Sequence, residues 1–414
     1  MREALGCIRR VEPLLRPVFE RIDATVWANT ERVLEAFRAT RVRELHFQGT
    51  TGYGFHDAGR EALEELYARV FGAEAALVRA QVVSGTHAIV LCLQAVLQPG
   101  QELVAAAGRP YDTLYRVIGA GEGAVDGLVQ RGVGYREVPL GADGRLDLAA
   151  LRAGLGPATG VVFLQRSRGY SERQPLSLEE IRAAVTLVRE CCPQAVCLVD
   201  NCYGEFTSEV EPPQVGADLT AGSLIKNPGG GLAPCGGYVV GRRDLVEAVA
   251  CRLTAPGLGR EVGASLWDRR LVFQGLFMAP LVVGEALKGA VLVARVLADK
   301  GYAVSPAWDQ PRSDIVQAVR LGSAEAVRRF CQAVQSCSPV DSDLVLEYSP
   351  MAGYTDPVVM AAGTFVQGSS IELSCDAPLR PPFVAYWQGG LSYGHVRLAL
   401  AAALAALEGR PAHG

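Results

Sequence analysis

The sequence predicts an α/β protein: a large domain built on a mostly parallel sheet flanked by helices, then a smaller α+β domain. Three observations point there. The chain has 414 residues, more than a single small domain holds. From residue 60 to 245 or so, short apolar runs alternate with helical patterns, the order that builds a parallel sheet with helices on both faces. Past residue 285 that alternation stops.

Residues 1–48 read as an N-terminal helical segment, with Val33, Leu34 and Phe37 at helical spacing inside Thr30–Ala39. A break follows at Gly49, Gly52 and Gly54, and residues 49–284 form the predicted large domain. Its apolar runs are Ala75–Val78, Glu102–Ala106, Gly160–Leu164 and Val196–Val199. Runs without strict alternation suit strands buried on both faces. Between them, Thr86–Leu97, Leu148–Leu155 and Leu178–Glu190 read as helices. The first stops at Pro99-Gly100. The third opens on Ser177, with Glu179 and Glu180 in its first turn, which suits an N-cap and the helix dipole. Residues 285–414 form the predicted small domain. It holds a long helix at Glu285–Lys300, strand-like runs at Ile315–Val319 and Ser370–Ser374, and a final helix at Tyr393–Leu407.

Composition narrows the function. The chain is 49% hydrophobic and 20% charged, enough apolar material for a sizeable core. A net charge of −4 with no basic run argues against a nucleic-acid partner. Arg2, Glu3, Arg9, Arg10, Glu12, Arg16 and Glu20 leave no apolar export stretch near the start. The runs Val291–Ala298 and Leu398–Leu407 fall short of spanning a membrane. A cytoplasmic protein with no membrane partner is the expectation. The eleven cysteines include no C-x-x-C pair and read as free thiols. Cys191 and Cys192 read as small core residues at a strand edge, with a redox pair as the alternative. Five scattered histidines and no carboxylate cluster predict no metal site.

In open α/β sheets, ligands bind beyond the carboxyl ends of the strands. Asp200 follows the run Val196–Val199. There it is either a turn acid or a carboxylate awaiting a cationic partner. Lys226 follows the next run, Leu219–Ile225, with Ser223 three positions earlier and Asn-Pro-Gly-Gly-Gly after it. Alone it reads as a surface lysine. Paired with Asp200 it suits pyridoxal phosphate, which needs a lysine amine and a carboxylate for its ring nitrogen. The lysine precedes its glycines, so this is not a P-loop. Ser84-Gly85-Thr86 opens a helix and suits a phosphate, or is an N-cap and nothing more. Tyr111 follows the run Glu102–Ala106 and is placed to stack on a ring or to pack in a turn. Arg166 and Arg168 follow Gly160–Leu164 and need anions. One is a candidate to face the cofactor's phenolic oxygen; the alternative is an ion pair with Glu172.

The segments Asp200-Asn-Cys-Tyr-Gly-Glu205-Phe and Gly222-Ser-Leu-Ile-Lys226-Asn-Pro-Gly-Gly-Gly-Leu-Ala-Pro-Cys-Gly-Gly-Tyr238 resemble the methionine gamma-lyase-like family. Its members are also labelled aluminium resistance proteins. They belong to the fold type I pyridoxal phosphate enzymes, near the cystathionine lyases. Thr51–Arg60, Ser84–Ala88, Gln165–Tyr170, Gln274–Pro280 and Gln388–Tyr393 carry the resemblance along most of the chain. It implies that Lys226 carries pyridoxal 5'-phosphate, Asp200 pairs with the pyridinium nitrogen, and Tyr111 stacks. Ser84, Gly85, Thr86 and Ser223 are its implied phosphate ligands. Related lyases place a Tyr-x-Arg pair from the neighbouring subunit near the phosphate; the nearest analogue here is Tyr53 with Arg60, at different spacing. For the substrate carboxylate, Arg380 is preferred and Arg397 is the other candidate; ordinary ion pairs are the alternative for both.

The implied activity is carbon–sulfur bond cleavage in a sulfur-containing amino acid, by β- or γ-elimination, giving a 2-oxo acid, ammonia and a thiol. In it Lys226 moves the α-proton, and Gly229, Gly230 and Gly231 let its segment move. The same residues suit an aminotransferase or an aldolase. The family label also leaves a metal (aluminium) tolerance protein with little catalysis. Fold type I sites lie at subunit interfaces, so the resemblance implies a homodimer or homotetramer.

Overall fold

The structure is a computed structural model that describes residues 2–121 and 124–409. Helix α1 (Arg2–Thr40) fills most of the N-terminal segment read as helical from residue 1 to 48. Its buried stripe of Ile8, Val11, Leu15 and Val18 recurs every three or four residues, one face of a helix. Helix α2 (Ala58–Phe71) is capped by Asp57, whose carboxylate accepts the Arg60 N–H at 2.9 Å. The buried Arg269 guanidinium grips the same carboxylate with two bonds, 2.5 and 2.9 Å. Burial would raise the Asp57 pKa, but bonds from Thr50, Arg60 and Arg269 outweigh it and bring it down to about 2.

The large sheet follows: β1 (Ala75–Arg79), α3 (Gly85–Val96), β2 (Glu102–Ala105), α4 (Asp112–Ile118), β3 (Gly134–Glu137), α5 (Leu148–Gly154), β4 (Thr159–Gln165), α6 (Leu178–Cys191), β5 (Val196–Asp200), β6 (Leu219–Ser223) and β7 (Gly237–Gly241). Strand order is β1-β7-β6-β5-β4-β2-β3. β7 is antiparallel to both its neighbours, and the other pairings are parallel. The four predicted strands are present within a residue or two. β3 and β7 escaped the sequence pattern. β3 is a mostly exposed edge of Gly-Tyr-Arg-Glu, and β7 starts on glycine and ends on glycine. The Cys191/Cys192 pair closes α6 instead of edging a strand, with Cys191 exposed and Cys192 buried. All eleven cysteines are free thiols.

Helix α7 (Arg243–Leu253) leads to α8 (Arg269–Asp299), then β8 (Ala303–Ser305), β9 (Val316–Arg320), α9 (Ala324–Gln335), β10 (Val358–Ala361), α10 (Ser370–Leu373), β11 (Ser374–Pro378), β12 (Val384–Gln388) and α11 (Tyr393–Leu407). The five strands form an antiparallel sheet in the order β10-β11-β12-β9-β8. Ser370–Ser374, read as a strand, is a helical turn that becomes a strand only at Ser374. The reason is Glu372, whose carboxylate accepts the N–H groups of Phe365 and Val366 at 2.7 and 2.9 Å and wraps the chain around itself.

Two long helices tie the parts together. The position 284/285, taken above as a junction, lies inside α8. α8 is long and apolar enough to cross a membrane, but 72% of its most apolar stretch is buried inside this fold. α1 lies along it. Its first half joins the small-domain core with Phe330 and Trp387, and Val33 and Ala36 join the core under β1 and β7.

Candidate active site

Register fixes the floor of the site. Gln165, Asp200 and Ala221 are paired neighbours across β4, β5 and β6, so these strands end side by side. The loops beyond those ends enclose a cleft of about 660 Å³. It is lined by Ser84, Gly85, Thr86, Tyr111, Arg168, Asp200, Ser223, Lys226 and Arg380 among the predicted residues. Tyr53 and Arg397 do not line it. Tyr53 is 75% exposed beside Phe55. Arg397, partly exposed on α11, pairs with Glu12 of α1, Nε to Oε1 at 2.8 Å, so the ion-pair alternative describes it.

Asp200 is 5% exposed. Its Oδ1 accepts the Cys202 N–H at 3.1 Å. Burial raises its pKa, and the Lys226 charge opposes that rise. Lys226 is partly buried, with Nζ 3.9 Å from the centre of the Tyr203 ring. Burial pulls its pKa down, and Tyr203, Cys202 and Asp200 together reverse the sign, so the ammonium is favoured. Tyr203 holds φ 71°, unusual for a residue with a side chain, and that turn brings its ring under the lysine.

Ser84 caps α3 by accepting the His87 N–H at 3.1 Å, and the N-terminal amides of α3 border the cleft. A Cβ on Gly85 would lie 3.0 Å from Cys202 Sγ and 3.3 Å from Ser223, so only glycine lets these elements meet without adjustment. Tyr111 is held at both ends. Its N–H donates to Gln165 Oε1 at 3.0 Å and its hydroxyl shares a 3.0 Å bond with Thr86.

The two arginines after β4 diverge, and neither pairs with Glu172, which is bound by Arg320. Arg166 is fully buried and turns toward Asn201 (2.7 Å) and Glu211 (3.7 Å). Arg168 borders the cleft and sends its Nη2 to Gln174 and Ser305. Across the cleft, Arg380 Nη1 meets Asp356 at 3.1 Å, and its Nη2 donates to the Tyr170 carbonyl at 2.8 Å.

Sequence reasoning missed Tyr203, Tyr354 and Asp356, all on the cleft wall. The Tyr170 ring lies between Tyr354 and Tyr386, with centroids 5.6 and 5.3 Å away. No periodicity marks these residues; they come from loops. Gly229, Gly230 and Gly231, read as a hinge, are tightly packed. A Cβ there would lie 2.0 Å from the Leu224 carbonyl, 2.5 Å from the Gly275 carbonyl and 2.5 Å from Leu391. Among the described residues no group of three or more His, Cys, Asp or Glu is placed to hold a metal.

Residues 5–408 match the methionine gamma-lyase family. A carbon-sulfur lyase involved in aluminum resistance from Clostridium novyi NT is 42% identical; the match covers 98% of this chain and 96% of that one, with a TM-score of 0.93. The uncharacterised protein YnbB of Bacillus subtilis (strain 168) is 48% identical over 398 residues, 96% of this chain and 94% of that protein. An L-methionine gamma-lyase of Pseudomonas putida is 30% identical over 291 residues, 66% of each chain. The fold is also that of a cystathionine gamma synthase from Xanthomonas oryzae pv. oryzae, 17% identical with a TM-score of 0.62, and of the pyridoxal-5'-phosphate dependent protein YhfS from Escherichia coli, 19% identical with a TM-score of 0.60. The chain belongs to the methionine gamma-lyase family.

Proposed function

We propose that this protein is a pyridoxal-phosphate-dependent carbon–sulfur lyase acting on a sulfur-containing amino acid. The observation that carries the reading is one cleft holding Lys226 and Asp200 together with the Ser84-Gly85-Thr86 turn and Ser223. The family's own relatives support the class of reaction.

The residues present fit the cofactor. The α3 N-terminus and the hydroxyls of Ser84, Thr86 and Ser223 suit its phosphate, where Gly85 keeps the wall flat. Asp200 suits the ring nitrogen, Tyr111 suits the ring face, and Lys226 would carry the aldehyde carbon. When bound, the cofactor supplies an electron sink for the bond broken at the substrate α-carbon.

The chain's own groups do the rest. Asp200 would hold a proton on the ring nitrogen, its charge supported by Lys226 against the rise that burial imposes on its pKa. With the cofactor bound, Lys226 Nζ would be placed to take the substrate α-proton. Tyr203 sets where that amine rests. Arg380 takes the substrate carboxylate, a role that requires Asp356 to yield its bond. Tyr170 and Tyr354 exclude water along the side-chain half of the cleft.

The test is the Lys226→Ala variant of the purified holoenzyme. It should lose the visible absorption of bound cofactor and fall at least about a thousandfold in 2-oxo acid and thiol release. A variant with normal absorption and turnover sinks the assignment. A wild type that releases no thiol from any sulfur amino acid, yet transfers amino groups to 2-oxo acids, overturns the lyase reading and keeps the cofactor.

A homodimer or a homotetramer in the cytoplasm goes with this reading. Arg60 is turned inward onto the carbonyls of Gly54, Gly263 and Glu261, so it does not serve a neighbour. Exposed Tyr53 on the same loop is the residue placed to reach a second copy.

A further inference from the structure

The loop after β4 and the loop between β8 and β9 bring three arginines to the joint between the two sheets. They are Arg168, Arg173 and Arg312. Arg168 is 1% exposed. Its Nη2 meets only neutral groups, Gln174 Oε1 at 3.3 Å and Ser305 Oγ at 3.1 Å. Arg312 Nη2 likewise meets Gln317 Oε1 at 2.6 Å. Gln317 in turn bonds the Pro306 carbonyl, next to Ser305, so the two arginines share one scaffold.

The remaining nitrogens are the telling ones. Nε and Nη1 of both Arg168 and Arg312 are buried and have no hydrogen-bond partner. Arg173 differs, because the carbonyls of Gln165, Ser167 and Gln174 satisfy it. The acid that acts on all three arginines is Asp314. Its oxygens already accept from Ser167, Val316 and the Arg168 backbone N–H. Glu172 is held by Arg320 and Glu211 by Arg166 and Arg32. Glu172 also acts on Arg168, and Asp200 and Glu180 on Arg173, but none of the three bonds these guanidiniums, and Asp314 is the one acid shared by all three arginines. Burying an unanswered charge costs several kcal/mol.

We propose that Arg168 and Arg312 hold a small inorganic anion of the halide class at this joint. Arg168 borders the cleft, but Gln174, Ser305 and Arg312 are absent from its lining, so the anion site lies beside the cleft and not in it. Burial pulls the Arg312 pKa down to about 10, the direction an unanswered cation takes. The segment from Arg168 to Gln174 also carries Tyr170, so the bound anion fastens a wall of the cleft to the small domain.

The test uses the full-length holoenzyme and bromide. Crystals soaked in sodium bromide should give an anomalous peak in contact with Nε or Nη1 of both arginines. In solution, replacing gluconate by bromide at fixed ionic strength should raise Tm by about 2–4 °C near saturation. Arg312→Met should abolish that rise while a distant surface variant, Arg69→Met on α2, keeps it. If Arg312→Met does not fold, the wild-type soak decides alone. A soak with no peak at the joint, or equal Tm in the two salts, overturns the proposal. Neither readout depends on turnover, so the proposal stands or falls apart from the lyase reading.

Discussion

Glu205 is fully buried behind Lys226. Its Oε1 accepts from the Tyr238 hydroxyl at 2.7 Å, and its carbonyl accepts from Asn227, the residue after the lysine, at 2.9 Å. Tyr67, Cys202, Glu211, Arg166 and Lys226 are the other titratable groups that act on it. Burial pushes its pKa up to about 8, with the Tyr238 bond opposing. The folded protein therefore keeps a proton that the unfolded chain has released above the ordinary carboxylate range. Folding stability falls as pH rises through that window and levels off above about pH 8. Glu205→Gln should remove the slope and gain on wild type by a few kcal/mol across the window, read by urea unfolding at stepped pH. A parallel pair of pH profiles contradicts the assignment. At this scale the sequence showed the residues that end apolar runs, Asp200 and Lys226, because a polar group after a buried strand is conspicuous. Tyr203 and Glu205 stood in the same quoted motif without a visible role. Their roles depend on a positive φ and on contacts with β7, which spacing does not encode.

Among the elements, α8 bears on the lysine loop through bare backbone. A Cβ on Gly275 would lie 2.2 Å from the Gly229 carbonyl, and one on Gly230 would lie 2.5 Å from the Gly275 carbonyl. Gly275→Ala is expected to push the Asn227–Gly229 turn off the helix. It should cost about 1–3 kcal/mol of stability and loosen cofactor retention, measured by Tm and by absorbance after dialysis. Undiminished Tm and retention contradict the close-packing role. Strands β1, β2, β4 and β5 were legible because both faces are buried, and α6 because Ser177 and Glu180 form a reciprocal capping box. α8 was read short. Its first half exposes a face that carries apolar Phe277 and Leu281 beside Arg270 and Gln274, so no clear polar face marks its start. The glycines after Lys226 were read as freedom and are in fact contact, since sequence does not distinguish a glycine that bends from one that lets a neighbour approach.

At the scale of the molecule, Tyr53 and Phe55 stand exposed on a loop that is otherwise rigidly anchored through Asp57 and Arg269. A rigid loop presenting two aromatic rings fits a contact with a second copy. Light scattering on the holoenzyme should give a dimer or a tetramer, and Tyr53→Ala should weaken cofactor retention without lowering Tm of the isolated subunit. A monomer at working concentration contradicts both. Which surface would carry a subunit contact was beyond the sequence, because Tyr53 and Arg60 depart from the expected spacing. The inward turn of Arg60 is set by residues about two hundred positions away.

The long helix α1 packs on α8 and reaches α11, where Tyr393 and Arg397 both bond Glu12. A ribosome makes α1 early and α11 late. For most of synthesis the apolar stripe from Ile8 to Val18 therefore has no surface to rest on. Closure of the small domain waits for the distant helix, a slow non-local step that leaves the nascent chain a natural client for chaperones.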